Sequence, residues 1–316
     1  MAEKIIEPIE EYGLSKEKKS GKLFSKVGIV GCGNDGQYIA RVCSSYGMDV
    51  LFWEATPEKI EKSLNSISDI MESRIRNWGA TVSEKKAVMS RIKATTSLKD
   101  MKDCDLVVET ASLTSIGRSV DSRRKVFEEI EKIVSPTCII ASNSTTVMIS
   151  ELTENLKYKD RCISIHFMIN SVDSRIVEIT KGLHTSDEAF EKVSHFIKMV
   201  KRKPIPVEES AGRISVRMYS IMLNEACQLV LEGAGNIDDI EQLMMTGYGM
   251  RLGPFALADI MGLERTVRWM ENLFNEFGEA RYKPNPLIKK MIRQHRLGLD
   301  CGKGFFFYDE NGERVK

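Results

Sequence analysis

The 316-residue sequence predicts an α/β chain in two parts, a doubly wound, parallel sheet followed by an all-α domain. Two observations carry this. From Lys26 to about Pro204, short runs rich in β-branched residues alternate with longer helical stretches, the pattern that places helices on both faces of a parallel sheet. Beyond Pro204 the β-rich runs stop, and Ile214, Met218, Ile221, Leu223, Ala226 and Leu229 recur near helical spacing, with further apolar helical segments to about Arg296. The length exceeds the usual single domain. The expected division is a polar surface arm over 1–25 containing SKEKKSGK, a sheet domain over 26–204 and a helical domain over 205–316.

The first strand, KVGIV, runs directly into Gly31-Cys32-Gly33-Asn34-Asp35-Gly36, and the helical stretch QYIARVCSSYG follows. A glycine pattern between strand and helix is the signature of a dinucleotide site, so the sheet is expected to be Rossmann-type. Gly31 permits the tight turn, Gly33 lets backbone approach a pyrophosphate, and Gly36 allows helix and strand to pack closely. The second strand, DVLFWE, ends on Glu54, 18 residues after Gly36, where a carboxylate accepts from the adenosine ribose hydroxyls. No arginine follows Glu54 to hold a 2′-phosphate, which favours NAD over NADP. Asp35 has the wrong sign for this loop. At about 6 Å and an effective dielectric near 20, a carboxylate repels a phosphate charge by roughly 3 kcal/mol. The milder alternative turns it toward solvent, where it favours the positive end of the helix dipole.

The strands DLVVE, CIIAS, RCISIHF and RIVEI follow in order. In RCISIHF, Ile163, Ile165 and Phe167 face one way and Cys162, Ser164 and His166 the other, so His166 lies at the strand end where ligands bind. Ser142 and Asn143 end CIIAS at the same edge. A helix cap is the alternative use of this neighbourhood, since Ser144, Thr145 or Thr146 could start the helix carrying Met148 and Leu152.

Composition removes several function classes. The 46 basic and 45 acidic residues nearly cancel and form no long block of one sign, so neither nucleic acid nor a membrane surface is an expected partner. No apolar stretch approaches a membrane span, and the opening MAEKIIEPIEEYGLSKEKK has neither a signal-peptide nor a transit-peptide pattern, which leads to a cytoplasmic expectation. Seven scattered cysteines without a CxxC suggest reduced packing thiols and no metal site.

The ordered motifs GCGNDGQYIA, DLVVET, IIASNSTT, IHF with VEI twelve residues on, GYGMRLGPFALADIMGL and GKGFFFY resemble the 3-hydroxyacyl-CoA dehydrogenase family over roughly residues 26 to 308. The resemblance implies NAD as cofactor, interconversion of 3-hydroxyacyl-CoA and 3-oxoacyl-CoA, and a C-terminal helical domain that forms a homodimer. It implies that His166 is the acid-base residue, that Glu178 orients and charges its imidazole, and that Ser142, with Asn143, contacts the substrate oxygen. Ser63 lines up with a substrate residue of the family, but Ile70 falls near the position of the lysine that meets the nucleotide end of CoA. Other departures are Asp35, the sequence His166-Phe167-Met168-Ile169-Asn170 with its asparagine displaced by one position, and Ala211-Gly212-Arg213 followed by Val216 where the family has an asparagine. The cofactor-contacting acid and lysine have no clean counterparts, with Arg123 the one stand-in. Two other readings follow from these departures: an NAD-binding scaffold with weak turnover, and a dehydrogenase of a free 3-hydroxy acid.

Overall fold

The computed structural model describes residues 24–110, 119–168, 174–310 and 312–315. Most of the expected arm therefore lies outside the described residues, as do Ile169 and Asn170. Its last two positions belong to the fold: Phe24 is buried and meets Phe196 edge-on at 5.4 Å between ring centroids. The core thus starts ahead of the expected boundary at 25, because an aromatic ring gains more by burial than the adjoining polar run can offset.

Eight strands form one sheet in the order β3-β2-β1-β4-β5-β6-β7-β8. They are β1 (Lys26–Val30), β2 (Asp49–Trp53), β3 (Ile92–Thr95), β4 (Leu106–Glu109), β5 (Ile139–Ser142), β6 (Cys162–Phe167), β7 (Ile176–Lys181) and β8 (Lys203–Pro206). The first six are parallel, and their order places the switch point between β1 and β4, where dinucleotides bind at the carboxyl ends. β7 runs antiparallel to β6, and β8 lies parallel to β7 at the sheet edge. β8 carries the sheet past Pro204 to Pro206, beyond the expected domain boundary, since an edge strand tolerates proline.

The sheet is packed on both faces. On one, Val27, Ile29, Ile163, Ile165 and Phe167 pack with residues of α1 (Asn34–Ser45), α2 (Pro57–Arg76), α3 (Val82–Arg91) and α6 (Asp187–Met199). On the other, Val30, Val107 and Ile140 meet Phe127 and Ile130 of α4 (Ser119–Ile133) and Leu152 of the short α5 (Ile149–Leu152). Each such side chain contributes about 1.5–3 kcal/mol by leaving water.

The second domain is built on α7 (Ser215–Glu232), α8 (Ile237–Gln242), α9 (Pro254–Met261), α10 (Leu263–Phe277) and α11 (Pro286–Arg293). Two short antiparallel strands, β9 (Phe307–Tyr308) and β10 (Arg314–Val315), close it. Two of the recurring motifs do structural work here. The buried Asp259 carboxylate accepts from the amides of Phe305 and Phe306 at 2.8 and 2.9 Å and from the Tyr308 hydroxyl at 3.0 Å, which pins GKGFFFY onto ALADIMGL. Glu241 likewise receives the amides of Gly253 and Phe255 at 2.9 Å, satisfying the start of α9. No helix among the described residues is long and apolar enough to cross a membrane.

Candidate active site

The glycine loop joins β1 to α1. Gly31 has φ of 90°, in the left-handed region, and its carbonyl accepts from the Thr110 hydroxyl. At Gly36 any Cβ would collide with that same carbonyl and lie 2.9 Å from Thr110 Oγ1, so helix and strand can approach only across a glycine. Gly33 is different: a Cβ there meets nothing within 4 Å, and the residue caps α1 without a side-chain hydrogen bond. Open space over an uncapped helix start is what a pyrophosphate requires.

Glu54 Oε1 accepts from the Cys32 amide at 2.6 Å, so the acid at the end of β2 braces the loop through one oxygen. Ser63, from α2, lies beneath that loop. It is 5% exposed and donates to the Cys32 carbonyl at 2.9 Å, so its hydroxyl would have to leave that bond to contact substrate. Its hydroxyl is used to hold the turn, and Gln37 Nε2 donates to the same carbonyl at 3.0 Å. Burial pushes the Cys32 thiol up to about 12, consistent with a packing role.

At the other end of the cleft the antiparallel pairing of β6 and β7 sets His166 directly opposite Glu178. The side chains meet with Nδ1···Oε2 at 2.8 Å, both nearly buried. The first residue of α7 completes the group: the Ser215 amide donates to Glu178 Oε1 at 3.0 Å and its hydroxyl to Oε2 at 2.7 Å. Burial would raise the Glu178 carboxyl, but the hydrogen bond and charge of His166, together with the two donations from Ser215, carry it down to about 2. Burial lowers the His166 pKa and the charge of Arg213 adds to this, against the opposing hydrogen bond and charge of Glu178 and the charge of Asp35. An imidazole in that setting is neutral at neutral pH. Its Nδ1–H belongs to Glu178, and Nε2 has no hydrogen bond among the described residues.

Arg213 stands behind the pair with φ of 51°, a costly backbone for a side chain with a Cβ. Its buried guanidinium donates to the Glu178 carbonyl at 3.3 Å, to the Ser144 carbonyl at 2.8 Å and to the Ser164 hydroxyl. Val216 does not face this group; it is buried in an apolar cluster with Ala211, Leu273 and Tyr282.

Ser142 and Asn143 lie at the same edge with their hydrogen bonds committed. Ser142, fully buried, donates to Glu109 Oε2 at 2.9 Å, its register partner on β4. Glu109 is also fully buried and holds Arg123 at 2.6 and 2.5 Å. Asn143 Oδ1 accepts from the Phe167 amide at 3.1 Å, and its Nδ2 donates to Asp35 Oδ2 at 3.1 Å. The other Asp35 oxygen pairs with Arg265 of α10 at 3.0 Å, so the half-buried Asp35 is neutralised rather than turned out into solvent alone. The helix-cap alternative is not the arrangement found: the residue before α5 is Met148, while Ser144 Oγ accepts from the Val147 amide at 3.3 Å within a turn. Between Asp35, Asn143, Thr146, Arg268 and Trp269 lies a cavity of about 130 Å³.

Sequence reading missed Glu109, Arg213, Ser215 and Arg265. Glu109 was visible as an acid closing a strand at the same edge as Ser142. Arg265 left no local signal.

Residues 26–210 match the model of the 3-hydroxyacyl-CoA dehydrogenase NAD-binding domain, and 212–308 that of the family's C-terminal domain. The chain belongs to the 3-hydroxyacyl-CoA dehydrogenase family. It is 32% identical over 283 residues to a probable 3-hydroxybutyryl-CoA dehydrogenase of Deinococcus radiodurans, covering 90% of this chain and all of that one. It is similar to the crystal structure of (S)-3-hydroxybutyryl-CoA dehydrogenase from Ralstonia eutropha, with a TM-score of 0.79, 31% identity, and 91% and 100% of the two chains covered. FadB2 of Mycobacterium tuberculosis gives a TM-score of 0.85 at 25% identity, over 90% and 99% of the chains. The dehydrogenase family uses NAD, and the open space at Gly33, the uncapped start of α1 and the brace at Glu54 fit that dinucleotide.

Proposed function

We propose that this dehydrogenase interconverts a 3-hydroxyacyl-CoA and the corresponding 3-oxoacyl-CoA, with His166 and Glu178 as its acid-base pair. Gly33, in a turn that Gly31 and Gly36 allow to form and pack, would seat the pyrophosphate, and Glu54, through its second oxygen, the adenosine ribose. Bound NAD supplies the hydride acceptor in oxidation and, as NADH, the hydride donor in reduction.

The observation that carries the reading is the buried His166–Glu178–Ser215 group at the carboxyl end of β6. In oxidation, Nε2 of the neutral His166 takes the proton of the 3-hydroxyl. The resulting imidazolium is stabilised by the ionised Glu178, whose charge is held in place by the start of α7. In reduction the same nitrogen returns the proton to the 3-oxo oxygen. Proton transfer of this kind contributes roughly 10²- to 10⁴-fold in rate. Ser142 reaches substrate only if its hydroxyl turns from Glu109; Asn143 holds the end of β6 through the Phe167 amide.

A homodimer built on the helical domain and a cytoplasmic location complete the proposal. Met218, Leu231, Leu243 and Tyr248 are exposed on that domain, an apolar display suited to a second copy.

One observation favours the free 3-hydroxy acid instead. The groove along α2 where the nucleotide end of CoA is expected is lined by Glu58, Glu61, Asp69, Glu310 and Glu313 against Lys62 and Arg76. Purified protein with NADH separates the two readings through loss of reduced-nicotinamide absorbance. Turnover of acetoacetyl-CoA with little of acetoacetate supports the CoA reading, and the reverse replaces it.

A further inference from the structure

Asp35 occupies the first turn of α1, the helix whose start would receive the cofactor's pyrophosphate. A carboxylate alone at that point opposes an anion. Its neutralising partner is not in the same domain. Arg265 comes from α10, 230 residues along the chain, and the ion pair is partly buried, with the two side chains 27% and 29% exposed.

Several features make this pair more than a chance surface contact. Arg265 and Asn272 are one α10 face, i and i+7, and both reach across the cleft, Asn272 donating to Thr146 Oγ1 at 2.8 Å. The second oxygen of Asp35 is fixed by Asn143, which also holds the backbone beside His166. These side chains line a cavity of about 130 Å³ between the glycine loop and α10.

We infer that Asp35 and Arg265 form an interdomain clamp through which the helical domain sets the affinity of the glycine loop for its dinucleotide. With the domains together, Arg265 cancels the charge of Asp35 and the loop accepts an anion. With them apart, the bare carboxylate weakens binding, so cofactor retention and domain closure support each other. This rests on the NAD reading given above.

NADH binding to the purified protein, measured by fluorescence titration at low and moderate salt, tests the clamp without requiring turnover. Arg265→Met should weaken NADH about tenfold or more, with the larger loss at low salt. Arg265→Lys keeps the charge and should stay within about threefold of the parent. Asp35→Asn should bind at least as well as the parent, and Asp35→Asn with Arg265→Met should return to within about threefold of it, because no bare carboxylate remains. Unaltered affinity in Arg265→Met overturns the inference. So does a loss that Asp35→Asn does not restore, which would make Arg265 a direct cofactor ligand or a purely structural residue. A parent protein that binds no NADH would instead defeat the cofactor reading itself.

Discussion

His166 is placed where its charged form is costly and its neutral form is useful. Burial and Arg213 keep its pKa below the ordinary histidine value of about 6.5, while Glu178, held down to about 2, stays ionised and ready to stabilise the imidazolium once it forms. Oxidation needs the neutral imidazole, so its kcat/KM, which reports the free enzyme, should fall as pH drops through a value below about 6.5. Reduction needs the imidazolium and should fall as pH rises through the same region. The pH dependence of kcat/KM in both directions checks this, and a midpoint above the ordinary histidine value of about 6.5 would contradict the burial argument. Both groups have depressed folded values, so their stabilisation is present above the unfolded values and is lost as pH falls through the folded ones. The departure at Val216 has a packing explanation. Val216→Asn would place an amide among Ala211, Leu273 and Tyr282, and should cost about 1–3 kcal/mol of stability with no gain in turnover. Denaturant unfolding and initial rates measure the two effects, and faster turnover would show that position 216 reaches substrate after all.

At the scale of the elements, the glycine loop separates fold from binding. Gly33→Ala puts a methyl into open space on a backbone with φ of −70° that alanine accepts, so melting should hold while NADH affinity falls. Gly36→Ala forces the methyl against Gly31 and Thr110, so melting itself should drop by several degrees. Thermal unfolding beside NADH titration distinguishes them, and equal melting temperatures would remove the packing role given to Gly36. The glycine loop was legible in the sequence because it is local, a strand, turn and helix in succession; the His166–Glu178 pair came from the family resemblance, and the antiparallel pairing of β6 and β7 that joins them was not read from the sequence. β3 and β8 were not, since Ile92–Thr95 follows a helix without a break and Lys203–Pro206 carries two prolines. Ser63 lined up with a ligand contact, and that its hydroxyl also braces the glycine loop from below is a matter of side-chain direction that alignment does not carry. Arg265 was invisible because its partner is fixed by how the domains meet.

For the whole molecule, the two domains meet at the reacting edge from two directions. α7 reaches Glu178 through Ser215, and α10 reaches Asp35 through Arg265, so the acid-base strand and the cofactor loop are both completed by the helical domain. That domain also exposes Met218 and Tyr248 at 67% and 81%, and light scattering at micromolar concentration should report a dimer; a monomer throughout would leave those side chains unexplained. The central claim is that His166 moves the proton. It is tested most directly by the turnover of His166→Gln with NADH and acetoacetyl-CoA, alongside its NADH affinity. The account predicts a kcat lower by roughly 10²-fold or more with NADH affinity unchanged, the signature of an interaction used mainly in the transition state. Turnover near the parent rate would contradict it.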